Sequence, residues 1–188
     1  MIMDDDAQLM VNFQRGDSGA FDVLVGKYHV QVINIIYRFL GRVDVAEDLA
    51  QDVFVKVYQA APVYKPTAKF STWLYRIVAN YCLNYRRDRA GRAVVPMSAL
   101  GKEEGRPVDF AVEHDASKAL EADELRGAVR AALRSLPPKQ RLAVILDKYR
   151  GLSHREIGRA LGSSEKAVKS LLARARENLR RMLAPHIK

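Results

Sequence analysis

Cysteine is nearly missing from this chain: Cys82 stands alone, which excludes an internal disulfide framework and any metal site built from several thiolates. Its neighbours Val78, Tyr81 and Tyr85 predict a buried, unreactive thiol. The four histidines, His29, His114, His154 and His186, are scattered without metal-ligand spacing, so no metal is expected. Apolar runs are short and interrupted by charge, far below the roughly 20 residues a membrane span needs, and no membrane insertion is expected. Met1 to Asp6 is acidic where a secretory leader would be basic and then apolar, which points to the cytoplasm. A glycine-rich phosphate loop, a metal-ligand cluster and a nucleophile elbow are all missing, so neither an enzyme nor a cofactor is expected. Strand-like alternation is nearly absent too. The fold class that remains is all-α.

What the chain has is positive charge, placed unevenly. The net charge is +9, yet residues 125–188 hold 16 basic and 4 acidic side chains, while 93–124 are net negative. A block so cationic attracts a polyanion through phosphate neutralisation and counterion release. A solvated basic surface helix would look the same by charge alone.

Helical periodicity runs through most of the first 90 residues. Phe21, Leu24, Tyr28, Val32, Ile35, Ile36 and Phe39 form one stripe, and Gly41 ends that helix. Asp44 reads as the next N-cap, with Glu47 as its capping-box partner. Pro62 and Pro66 bracket a loop reaching Lys69, and a further helix spans about Ser71 to Arg89, with Leu74, Ile77, Val78, Tyr81 and Tyr85 inward. The pattern fails from Gly91 to about Ser117, where glycine, proline and acidic residues predict a flexible linker. The expected organisation is therefore a helical module over 1–90, a linker over 91–117 and a second helical module over 118–188.

The second module contains helix-turn-helix grammar. Ser153 and Glu156 form a capping box, Gly162 ends the first helix, and Ser164 caps the second. Small Gly158 and Ala160 allow close approach of a neighbouring helix. Val168, Leu171, Leu172, Ala175 and Leu179 face inward, leaving Lys166, Lys169, Ser170 and Arg174 outside. Such an outer face suits the major groove.

Gly151-Leu152-Ser153 with Glu156-Ile157, Ala160-Leu161-Gly162 and the run Val168 to Arg180 resembles region 4.2 of sigma-70-family factors. Leu136-Pro137 with Arg141 is similar to the opening of region 4.1. Val45 to Val57 resembles region 2.2, and Phe70 to Tyr81 resembles regions 2.3 and 2.4. Together these identify the chain as resembling the extracytoplasmic-function, or group IV, class. One departure is Ala167, where threonine is common.

The resemblance implies a promoter-specificity subunit whose partners are core RNA polymerase, promoter DNA and an anti-sigma factor. It places −35 contacts at Ser164, Glu165, Lys166, Lys169, Ser170 and Arg174, and −10 contacts at Tyr64, Lys69, Trp73, Arg76, Asn80, Asn84 and Arg87. The polymerase-binding face would be Glu47, Asp48, Gln51, Asp52 and Val55, and the response would be one to stress. The competing reading is an ordinary helix-turn-helix regulator that binds duplex DNA, as a monomer or a dimer. Such a regulator has no use for the pair of segments 47–57 and 70–81.

Overall fold

Apolar spacing becomes eight α-helices in the computed structural model, which describes residues 4–92 and 116–186, with side chains for 4–89 and 124–186. No strand occurs among the described residues. The expected linker, 91–117, lies almost wholly outside them. Its edges belong to helices, because α4 spans Phe70–Arg92 and α5 begins at Ala116.

The N-terminal module is α1 (Asp5–Gln14), α2 (Ser18–Leu40), α3 (Val43–Ala60) and α4, with a 3-10 turn at Ala61–Val63. Six residues of the α2 stripe are buried, from Leu24 to Phe39, while Phe21 is half-buried. Gly41 ends the helix at φ +81°, a conformation that costs glycine least. The short link to α3 makes α2 and α3 antiparallel neighbours.

Two local expectations fail. The cap of α3 is Arg42, without a side-chain cap bond, and Asp44 lies inside the first turn. There the carboxylate pairs with Arg42 and favours the helix N-terminus electrostatically instead of capping it. Along α4 the buried set is Phe70, Thr72, Leu74, Tyr75, Val78, Ala79 and Cys82; Ile77, Tyr81 and Tyr85 are only half-buried. Tyr75 turns inward toward α2, where its ring meets that of Tyr28 edge-on and its hydroxyl donates to Gln31. Burial pushes the Cys82 thiol pKa up, so that thiol stays protonated.

The C-terminal module is α5 (Ala116–Ser135), α6 (Pro138–Arg150), α7 (His154–Leu161) and α8 (Glu165–Leu183). Pro138 sits in the first turn of α6, where its missing N–H is not needed. Ser153 and Glu156 form the expected reciprocal capping box, Gly162 adopts φ +60°, and Ser164 accepts from the Ala167 N–H. Val168, Leu172 and Ala175 are buried between α8 and its neighbours α6 and α7. The two modules are joined into one apolar core, with α7 against α4 and both α5 and α6 against α2.

Gly158 is required by the turn itself rather than by a neighbouring helix. A Cβ there would lie 2.7 Å from the Ser163 carbonyl oxygen, while the Ser163 N–H donates to the Gly158 carbonyl at 2.8 Å. Gly158→Ala should therefore lower stability by about 1–3 kcal/mol despite alanine's better helix propensity. Gly26→Ala, with open space around the added methyl, should raise it by roughly 0.5–1 kcal/mol. Thermal melts of both variants check this. Two shifts of the same sign would contradict it.

Candidate nucleic-acid interface

Helix α8 offers Ser164, Glu165, Lys166, Lys169, Ser170 and Arg174 on its exposed side, opposite Val168, Leu172 and Ala175. Ser164 is occupied as the cap. Glu165 and Lys169 form an i,i+4 pair at 3.1 Å, so part of that lysine's charge is already answered. The helix N-terminus adds its own partial positive charge beside these groups.

On α4, Trp73, Arg76, Asn80, Asn84 and Arg87 recur at three- and four-residue spacing and share one face. Arg76, Asn80, Asn84 and Arg87 are exposed, and Trp73 is partly buried against the core. The indole rests edge-on to Tyr64, with centroids 4.9 Å apart, and tilts against Phe70 at 5.8 Å. An aromatic edge at the surface, followed by amides and guanidinium groups, can stack a base and hold phosphates.

Tyr64 needs correction, and Phe70 beside it belongs to the core. Both are interior, Tyr64 at 5% and Phe70 at 0% exposure, so Tyr64 forms the wall behind Trp73 instead of displaying its own ring. Burial first, and the charge of Asp4 second, push the Tyr64 hydroxyl pKa up to about 12. The loop before α4 is held by two residues that sequence spacing did not single out. Gln14 donates to the carbonyls of Ala61 at 2.7 Å and Tyr64 at 3.0 Å, and Asp4 accepts from the Phe70 N–H at 3.2 Å. Nothing local signals such contacts, because the partners are 47 to 66 residues apart.

Lys69 is exposed but not unpaired. Its Nζ lies 2.9 Å from Oε1 of Glu156, the capping-box residue of α7. Beside it Arg150 donates to the Tyr75 hydroxyl at 3.2 Å and to Gln31, which also accepts from Tyr75 at 2.9 Å. Arg141 goes deeper. It is 1% exposed, donates to the Phe39 carbonyl at 2.6 Å and to Leu136, and leaves its Nε without a partner. Burial first, then Arg86 and Arg134, lower its pKa to about 10.

The third group, Glu47, Asp48, Gln51, Asp52 and Val55, is exposed along α3, opposite Ala46, Ala50, Val53, Phe54 and Val57. Tyr58 extends this face, 57% exposed, leaning on Phe13 and Phe21. Acidic groups beside exposed apolar ones suit a basic protein partner. No cluster of His, Cys, Asp or Glu able to hold a metal occurs among the described residues, and no described helix is long and apolar enough to cross a membrane.

Residues 24–92 match the family model of sigma-70 region 2, and residues 126–179 match that of sigma-70 region 4. The chain belongs to the sigma-70 family, whose members are transcription initiation factors and not enzymes. Its relatives place it in the extracytoplasmic-function class. The RNA polymerase sigma-H factor of Pseudomonas aeruginosa is 33% identical, with 98% of this chain and 97% of the relative aligned. The ECF RNA polymerase sigma-E factor of Escherichia coli K12 is 31% identical across 97% of this chain and 96% of its own. The solved structure of CnrH in complex with the cytosolic domain of CnrY is 26% identical, with a TM-score of 0.71 over 97% of this chain and 99% of that one.

The Glu156 carboxyl gives a pH signature. Its partial burial would raise the pKa, but hydrogen bonds from Lys69 and Ser153 overcome that and bring it to about 2. A depressed carboxyl pKa contributes stability above the unfolded value, about 4.5, that is lost as pH falls toward 2. Glutamine can keep the cap but has no charge. The melting temperature of the protein should therefore exceed that of Glu156→Gln above pH 4.5, and the gap should close between about pH 4.5 and 2. A gap constant across that window would contradict the assignment.

Proposed function

We propose that this chain binds core RNA polymerase and directs it to promoters, with α8 reading the −35 element and α4 engaging the separated −10 strand. The observation that carries this reading is the row Trp73, Arg76, Asn80, Asn84 and Arg87 on α4, in the same chain as a capped helix-turn-helix. A regulator of duplex DNA needs only the second. Strand separation exposes base faces, and an aromatic edge backed by Tyr64 and Phe70 can stack one at roughly 1–3 kcal/mol. Arg76 and Arg87 add phosphate attraction without sequence information.

The polymerase contact is assigned to Glu47, Asp48, Gln51, Asp52 and Val55, where apolar anchors sit among acidic groups. Residues 93–115, part of the expected linker, remain assigned to joining the two readers. The protein works in the cytoplasm, where polymerase and promoters are. Control falls to an anti-sigma factor in a stress response, which the class resemblance implies. CnrH, similar in fold and 26% identical, carries a protein domain, that of CnrY, in its solved complex.

In vitro transcription with core polymerase tests the whole reading, using genomic fragments of the native host as templates. The chain should direct specific starts, and Asp52→Arg should reduce polymerase co-purification at least tenfold, because like charge at an interface rim costs several kcal/mol. Trp73→Ala should initiate poorly on duplex and recover on a pre-melted bubble. Tight, specific promoter binding without core, and no transcription with it, would favour the plain regulator.

A further inference from the structure

We propose that the cavity between α2, α5 and α6 is a binding site for a free nucleotide, with its phosphates on the arginines of α5 and its base against Tyr149. The proposal stands apart from the promoter reading, which uses none of these residues.

Sequence spacing builds the cationic wall. Arg126, Arg130 and Arg134 recur every four residues of α5 and so share one face of that helix. Like charges at this spacing disfavour a helix on its own. Arg38 joins them from α2, and the four side chains line one cavity of ≈ 380 Å³. Among the described residues no carboxylate lines it. Arg130 has the clearest use for an anion, because its Nε is buried without a hydrogen-bond partner. A desolvated cation in that setting is costly until a counter-charge reaches it. The surrounding field has the same sign. Burial first, then the charges of Arg86 and Arg134, lower the pKa of Arg141 nearby.

The other wall is apolar and aromatic, made by Tyr37 and Tyr149 with Leu125, Val129 and Leu133. Leu125 is 43% and Tyr149 38% exposed, so this surface opens to solvent at the mouth of the cavity. The Arg38 guanidinium lies over the Tyr149 ring, with Cζ 3.9 Å from its centroid. Gly41, without a side chain, lets Arg134 lie against the end of α2; a Cβ there would meet Arg134 Nη1 at 3.0 Å.

An inorganic anion would use the arginines and leave the apolar wall bare. A fatty acid would cover that wall but engage few of the guanidinium groups. A base carrying phosphates uses both, since the guanidinium fork matches phosphate oxygens and an aromatic ring offers a face for stacking. The volume lies near the lower end of the roughly 300–1,000 Å³ of ligand sites, which suits one nucleotide and not a longer strand.

Isothermal titration of the full chain with ADP at physiological salt tests this, with adenosine, pyrophosphate and octanoate as partial ligands. ADP should bind at a single site, about tenfold or more tighter than any of the three. Arg130→Gln should weaken ADP about tenfold, the scale of a lost charged hydrogen bond. Its melting temperature without ligand should not fall, because the removed cation had no partner to lose. Tyr149→Leu should weaken ADP severalfold and leave pyrophosphate unchanged. Lys169→Gln, on the basic face of α8, should bind ADP as the unsubstituted chain does. Failure of ADP to bind at millimolar concentration, or equal affinity in Arg130→Gln, would overturn the site. Equal losses in Lys169→Gln and Arg130→Gln would do the same, because the phosphates would then be sampling the basic surface at large. Pyrophosphate or octanoate binding as tightly as ADP would overturn the nucleotide in favour of a simple anion or a lipid.

Discussion

The seating of α7 on α4 is the contact on which the arrangement of this protein depends. It brings Glu156 to Lys69 and places the helix-turn-helix beside the helix that carries Trp73. Arg141 completes the seam from the other side by capping α2 at Phe39. Two small helical modules that each bury limited apolar surface gain a shared core this way. The gain is tempered by the polar and cationic groups along the seam, Lys69, Arg150 and Arg141 among them.

Function is divided among helix faces, with one interior behind them. The apolar side of each helix enters the common core, and the opposite side of α3, α4 and α8 carries a different chemistry: acidic and apolar, aromatic and amide, basic. The chain performs no chemistry of its own, consistent with its family.

Much of this was legible in the residues. The α2 stripe and its Gly41 stop, the Ser153–Glu156 box, Gly162 and the outward face of α8 follow from rules that act within four residues, and all are found. What sequence spacing missed is governed by partners far away. Asp44 had the right residue type for a cap, but Arg42 precedes it and the helix starts earlier. Tyr64 sat in a loop that reads as exposed, yet Gln14 and Asp4 fold that loop onto the core. Tyr75 and Arg150 lie 75 positions apart, and Arg141 bonds to a backbone carbonyl 102 positions away, which no side-chain pattern encodes. Gly158 was expected to admit a helix; it admits the carbonyl of its own turn.

The most direct test measures one distance in two states. Spin labels or dyes on exposed positions of α4 and α8, such as Asn84 and Ser170, report how far apart the two readers are. Cys82 is buried and does not compete for labelling. In the free protein the distance should fit within a body roughly 40 Å across, and with core polymerase and promoter it should increase by tens of ångström toward the spacing of the two elements. An unchanged distance in the transcribing complex would contradict the account, because one of the two faces could then not be reading DNA.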